Sequence, residues 1–481
     1  VWAAGHDLPE PPVPRGALDL FDLDVEAGDP VRRDGQLSRE WLRGGWAHDL
    51  AAAERWAVLA LQLQVRQEAL LREVPDPRPV LRGPEVPTLA VLTAYAESAA
   101  ALFAVELAQD GLPLDRDSAA ALLREVVGER PVDVADETAQ RRHRDEQVLR
   151  RFPGRPDVDL RSPQQVRSLL ARIGLDLPDT RSWRLEPYAA TSEAVAALLA
   201  WRKAERTATT YGWAWLDRHV GADGRLRGAW SAADAAAGRM TAQAGLHNLP
   251  AELRTAVRAE PGRVFVRGDL GQVEPRVLAA VSRDPALAVA AAQDDMYAPV
   301  AVQLRCDRPT AKVAVLAAMY GQTSGTAGAA LRDMDRAYPT AMAYLRAAEE
   351  AGRTGTDLRT YGGRLLRLAL PAGEQGEPVG EYVPPPSGHG RFARNAVVQG
   401  AAAELFKAWT ATVRGGLAAL DGEIVLCLHD ELLLHVPERQ AEAAAALLRS
   451  ALTATAGWWA AGSPVRFVVE VGVGPTWADA H

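Results

Sequence analysis

Carboxylates at the ends of apolar runs, and a helix carrying two cations, are the residues whose types and spacing suggest chemistry. Asp269 follows the short run Val264-Phe265-Val266 and Gly268. It precedes a stretch in which Val273, Val277, Ala280 and Val281 share one helical face. A strand fixes such a carboxylate, and the turn after it exposes main-chain carbonyls, so the pair can hold a divalent cation. The plainer role for Asp269 is to cap the helix. Far downstream, in residues 424–436, two apolar runs flank His429-Asp430-Glu431, the pattern of a hairpin with acids at its turn. Acids between two buried strands are costly unless cations or water meet them; a solvent-exposed turn is the plain alternative. Arg308, Lys312, Leu316 and Tyr320 recur every four residues and form one helical stripe. Two cations near a helix start, then an apolar and an aromatic residue, suit a triphosphate at one end and a sugar and base at the other.

The elements needed to position these groups are legible. Pro309 fits a first helical turn and Gly321 a stop, so a helix is expected over 308–321. A strand–turn–helix is expected around Asp269, and two buried strands around Asp430. The 481 residues are 48% hydrophobic and 24% charged, as expected of a globular chain with several domains. No run of about twenty apolar residues is expected to span a membrane, and no secretory leader pattern opens the chain. Cys306 and Cys427 lie far apart without metal-ligand spacing, which fits a reducing cytoplasm and no disulfide framework. The net charge of -8 argues weakly against nucleic acid, but net charge is a poor guide where acids cluster for catalysis. Only Lys203, Lys312 and Lys407 are lysines in an otherwise Arg-based basic set.

Taken in order, these stretches resemble the family A DNA polymerases, the bacterial polymerase I group. The family's first motif, D-Y-S-Q-I-E-L-R, is matched by Asp269-Leu270-Gly271-Gln272-Val273-Glu274-Pro275-Arg276. Its second, R-x-x-x-K-x-x-x-F/Y-x-x-x-Y-G, is matched at Arg308, Lys312, Tyr320 and Gly321, and its third by His429-Asp430-Glu431. Gly238-Arg239-Met240, Leu246-His247-Asn248-Leu249-Pro250, Asn395 with Gln399-Gly400, and the closing stretch 469–477 add to the likeness, which covers roughly residues 90–481. Within the family the chain is most similar to actinobacterial forms with a reduced N-terminal 3′–5′ exonuclease-like region.

The resemblance implies two-metal phosphoryl transfer. Asp269, Asp430 and the Leu270 carbonyl would hold two Mg²⁺ ions, with Mn²⁺ as an alternative, about 4 Å apart. Glu431 would join the catalytic group. Arg308 and Lys312 would neutralise the triphosphate, and Lys312 could protonate pyrophosphate. Gln272, Glu274, Leu316 and Tyr320 would bind the deoxynucleoside triphosphate, with Glu274 excluding a 2′-hydroxyl. Arg239, Asn248, Asn395, Gln399 and His429 would contact primer–template DNA, reading minor-groove groups common to all base pairs. Arg202 and Arg206, one helical turn apart, could grip the phosphate backbone or simply form a solvated face. Leu316 stands where the family has Phe or Tyr. Gly271 and Pro275 also depart from the pattern, and Pro275 is expected to restrict the helix start.

The implied fold is α+β, a right hand with an antiparallel palm sheet, helical thumb and helical fingers. Residues 1–90 are expected to be an exonuclease-like remnant and linker, 91–114 a palm-entry helix and 115–215 the thumb. Residues 216–285 and 361–481 would form the palm and 286–360 the fingers. Ser192 to Leu216 reads as one long helix, 130–157 as a charged, solvated helical stretch, and Pro371 to Gly390 as an inserted loop. Asp22, Asp24 and Glu26 lack the further acids of a working exonuclease, so none is expected. Leu18, Leu20 and Phe21 resemble a sliding-clamp peptide, a contact for an otherwise monomeric protein. The expected function is template-directed DNA synthesis in repair or gap filling. One alternative is a catalytically weakened relative that binds primer–template or the clamp, suggested by Leu316, Gly271 and Pro275. A single-subunit RNA polymerase is a third reading, opposed by Glu274.

Overall fold

The apolar runs around the acids do become strands. In the computed structural model, residues 30–31, 38–79, 86–154, 157–233, 237–321, 326–368 and 386–480 are described. Four antiparallel strands, β1 (Arg263–Leu270), β2 (Glu423–Leu428), β3 (Glu431–Pro437) and β4 (Val469–Gly474), form a sheet in the order β4-β1-β3-β2. Both faces are covered at β2 and β3, which is why these two strands read as nearly unbroken apolar runs. Val266, Leu270, Leu432 and Leu434 join one buried cluster with Trp409 and Leu448. Phe265, Leu426, Leu433 and Trp477 belong to a second. Gly268 permits the close approach on the first face: a Cβ there would lie 3.1 Å from Leu448 Cδ1 and 3.3 Å from the Trp409 ring. The register sets Asp269 opposite Glu431 on β3 and opposite Glu470 on β4.

The helices that serve the sheet are α1 (Leu89–Asp110), α2 (Glu193–Tyr211), α3 (Val273–Ser282), α4 (Arg308–Tyr320), α5 (Pro386–Leu417) and α6 (Ala441–Trp459). One expectation is corrected by α1. Its 22 residues are long and apolar enough to cross a membrane by length and composition. It packs along α5, however, with Leu89, Phe103 and Leu107 buried, and it is a core helix of this fold. Between β1 and α5 the described chain is almost wholly helical, as expected for 286–360, with helices at Pro285–Ala291, Tyr297–Leu304, α4, Thr326–Ala337 and Pro339–Thr354.

The stretch read as one helix from Ser192 to Leu216 is two. It breaks at Gly212, which has an extended backbone; a Cβ there would lie 2.3 Å from the Ala208 carbonyl oxygen. Ser162 caps the helix Pro163–Ala171 as its sequence suggests, its hydroxyl accepting from the Gln165 N–H. The charged stretch forms Val134–Leu149, mostly exposed but anchored by Val148. Val148, Phe152, Val166, Leu185, Val195, Leu198 and Trp201 make a third buried cluster confined to this part of the chain. The described residues before 90 are helical at Arg39–Leu42 and Leu50–Leu71, with one bridge residue at Val31. Leu18, Leu20, Phe21, Asp22, Asp24 and Glu26, and most of 371–390, lie outside the described residues.

Candidate active site

The hairpin turn and the end of β1 meet. The Leu270 N–H donates to the Asp430 carbonyl at 2.8 Å, placing Asp430 beside Asp269. His429, in the turn, has a φ of 30°. After Leu270 the chain turns sharply through Gln272, which is left-handed (φ 56°, ψ 38°), and enters α3. Asp269 therefore does not cap that helix. Pro275 falls in the first turn of α3, where its missing N–H costs no helical hydrogen bond, so the expected restriction does not disturb the helix start.

Glu274 projects from this first turn into a cavity of about 370 Å³ lined also by Arg239, Gln272, Tyr297, Leu316, Tyr320, Gln399, His429 and Asp430. Its carboxylate accepts from Arg239 Nη2 at 2.5 Å and from the Tyr320 hydroxyl at 2.9 Å. Burial, with Glu274 adding, pushes the Tyr320 phenol up to about 12. The same cause dominates at Asp430, where burial, then the charges of Asp269, Glu431 and Glu274, raise the carboxyl from 3.8 to about 6. Burial disfavours the charged form, and the neighbouring carboxylates add to that effect.

The four-residue stripe on α4 divides in two. Leu316 and Tyr320 line the cavity, while Arg308 and Lys312 are exposed on the N-terminal half of the helix. Arg308 is engaged: its Nε donates to Asp295 Oδ2 at 2.6 Å, and its guanidinium lies 5.6 Å from the Tyr297 ring centre. That bond holds the Asp295 carboxyl below its ordinary value. Gln272 is fixed by the same aspartate, donating to Asp295 Oδ1 at 3.0 Å and accepting from the Met296 N–H at 2.9 Å.

His429 stacks on His247 with ring centres 4.9 Å apart. The segment expected to present Arg239, His247 and Asn248 is a short strand, Thr241–Ala242, then a turn of 3-10 helix, Leu246–Asn248; Asn248 is exposed. Asn395 and Gln399 share one face of α5, and Asn395 Oδ1 is buried without a hydrogen-bond partner among the described residues. The arginine pair on α2 separates. Arg202 is half-buried and donates to the Thr180 carbonyl, an internal role that removes it as a backbone grip, whereas Arg206 is exposed.

Several residues were missed because their partners come from distant strands. Arg267, on the same face of β1 as Asp269, donates through Nη2 to Asp269 Oδ2 at 2.5 Å and lies 2.9 Å from Glu431 Oε2. The Trp477 indole N–H donates to the other oxygen of Glu431 at 2.7 Å. Glu431 is thus held on both sides, a brace for the site more than an open ligand. Arg276, fully buried, donates to the carbonyls of Gly271, Ala291, Arg466 and Asp294 at 3.1, 2.7, 2.6 and 2.5 Å. Its place in the first motif was a signal; its partners were not.

The donor chemistry fits a divalent cation. No three His, Cys, Asp or Glu side chains converge on a metal-binding position among the described residues. Hard divalent cations such as Mg²⁺ are commonly held by one or two carboxylates, and adjoining Asp269 and Asp430 supply such a pair.

Comparison with known proteins places this geometry. A family model described as DNA polymerase family A matches residues 132–479. The chain is 29% identical over 365 residues to the DNA polymerase I of Chloroflexus aurantiacus, covering 67% of this chain and 37% of that protein. It is 25% identical over 370 residues to the DNA polymerase I of Deinococcus radiodurans, covering 67% and 36%. The chain thus spans little more than a third of these relatives' length. The structure is similar to the POL domain of Pol1 from M. smegmatis, solved in complex with DNA primer-template and dNTP. That match has a TM-score of 0.64 at 24% identity and covers 80% of this chain and 70% of the other; it supports the fold.

Proposed function

We infer what this chain does from the family it belongs to, DNA polymerase family A: it extends a primer 3′-hydroxyl with deoxynucleotides chosen by a template strand. The observation that carries the reading is the meeting of Asp269 and Asp430 at the cavity lined by Glu274, Leu316 and Tyr320. Asp269, Asp430 and the Leu270 carbonyl would hold two divalent cations, Mg²⁺ in the first instance. Bound there, such ions would supply a lowered pKa at a 3′-hydroxyl and positive charge for the transferring phosphoryl group.

The chain's own residues do the rest. Lys312, exposed one turn beyond Arg308, meets the triphosphate and can give a proton to departing pyrophosphate. Arg308 reaches the same phosphates once it exchanges Asp295 for them. Leu316 and Tyr320 form the surface for sugar and base; Leu316 offers a smaller apolar contact than an aromatic ring would. Glu274, clamped by Arg239 and Tyr320, fills the space beside the sugar's 2′ position. Gln399, Asn395, His429, Asn248 and Arg239 track the minor groove, and Arg206 faces the backbone. The hand divides as palm sheet, fingers over 286–360 and a thumb over 115–215, the last supported by the separate cluster around Leu198. Work on primer–template in repair or gap filling places the protein in the cytoplasm with the nucleoid, as a monomer, with Leu18, Leu20 and Phe21 as its clamp contact.

Primer extension with Mg²⁺ tests the reading. Asp430→Ala should lower the rate about a hundred- to a thousand-fold, the scale for losing one electrostatic anchor of a transition state. Equal and negligible extension by wild type and variant would instead identify a primer–template-binding relative without catalysis.

A further inference from the structure

We propose that Arg267 is a resident counter-ion that competes with divalent metal for Asp269 and so sets how tightly the site binds metal before DNA or nucleotide arrives. The proposal rests on the reading of Asp269 and Asp430 as metal ligands. Arg267 and Asp269 are two residues apart on β1, so their side chains leave the same face of the sheet. Opposite Arg267 stand Leu433 on β3 and Gly472 on β4, an apolar side chain and no side chain, and neither can share its charge. Its Nε is buried without a hydrogen-bond partner among the described residues, so Nη2, reaching Asp269 and Glu431, is what aims the guanidinium.

The acids around it outnumber it. Asp269, Asp430 and Glu431 adjoin, Glu274 faces Asp430 across the cavity, and Glu470 stands opposite Asp269 on β4. In the metal-free protein the guanidinium offsets part of this repulsion and holds the Asp269 carboxylate in place. When a divalent ion binds, it and the guanidinium contend for one carboxylate at short range, and two cations that close repel strongly in a partly buried setting. Glu431 cannot swing away to relieve this, because Trp477 fixes its other oxygen. Metal therefore enters weakly alone and far better with a triphosphate, whose negative charge offsets both cations. Arg267 acts through Asp269 and is a positioning residue.

Mn²⁺ titration followed by electron paramagnetic resonance, with neither DNA nor nucleotide present, tests this. Arg267→Gln and Arg267→Met should each bind Mn²⁺ about ten-fold tighter than wild type, and Arg267→Lys should stay within about two-fold of it. The two neutral variants should melt lower than wild type without metal, and Mn²⁺ should restore their melting temperature. Unchanged or weaker Mn²⁺ affinity in both neutral variants overturns the proposal. So does a loss of fold in both that saturating Mn²⁺ fails to restore, because Arg267 would then be only a structural brace. Asp430→Asn separates the premise from the inference. If it binds Mn²⁺ like wild type, the metal-ligand reading itself falls. If it abolishes binding while the Arg267 variants match wild type, only the role of Arg267 falls.

Discussion

At the scale of single residues, the site carries more acid than base around Asp430. Asp430 is raised from 3.8 to about 6, so between roughly those values the folded chain keeps a proton that the unfolded chain has lost. Stability falls with rising pH wherever the folded state binds more protons, so Asp430 costs the metal-free protein stability as pH climbs through this window. The melting-temperature difference between wild type and Asp430→Asn should therefore turn against wild type from about pH 4 to pH 6 and level off above. A difference that stays flat over that range would contradict the assigned charge environment. Metal affinity should rise over the same window, since binding requires the carboxylate. Glu274 makes a second prediction. Glu274→Ala opens the space beside the sugar and should raise ribonucleotide incorporation about ten- to a hundred-fold, the discrimination a small steric change supplies; single-nucleotide extension with paired ribo- and deoxynucleotides measures it. Asp269, Asp430 and Glu274 were legible because they occupy ordered motifs. Arg267, Trp477 and Asp295 were not, because strand register and loop packing, not local sequence, deliver their partners.

At the scale of elements, the local patterns were good guides where one stretch decides its own structure. Apolar runs flanking His429-Asp430 gave the hairpin, and Pro309 and Gly321 bounded α4. The break at Gly212 escaped because apolar periodicity continues through it; only the close approach to the Ala208 carbonyl reveals why the backbone turns. Gly268 is a sharper case. It looked like a punctuation mark between strand and acid, yet it lies inside β1 and lets the sheet sit down on Leu448 and Trp409. Gly268→Val should overpack this contact and lower unfolding free energy by about 1–3 kcal/mol in denaturant titration. Because β1 carries Asp269 one residue later, primer extension should fall with it; an unchanged midpoint would mean that the helices yield freely there.

At the scale of the whole molecule, two buried clusters clasp the central sheet while a third stands apart around Leu198. An independent cluster can open without the rest. Leu198→Ala, at a fully buried position, should cost about 2–5 kcal/mol locally. Hydrogen exchange should quicken in helices between 134 and 211 while strands β1 to β3 keep their protection, and uniform quickening would show one cooperative body instead. The mixed helix-and-sheet fold was legible through the family resemblance. The apolar length of α1 was not recognised, because its residues serve packing against α5 and no charge pattern marks that face.

The strand β4 and Trp477 reach back to β1 and Glu431, and the Arg466 carbonyl reaches back to Arg276. On the ribosome, β1 emerges roughly two hundred codons before these latecomers. Until they arrive, its acidic edge lacks a neighbour strand, and Glu431 lacks its indole. A nascent chain stalled before Val469 should stay sensitive to protease along β1, whereas one whose Trp477 has emerged should zip the edge closed in a single late step.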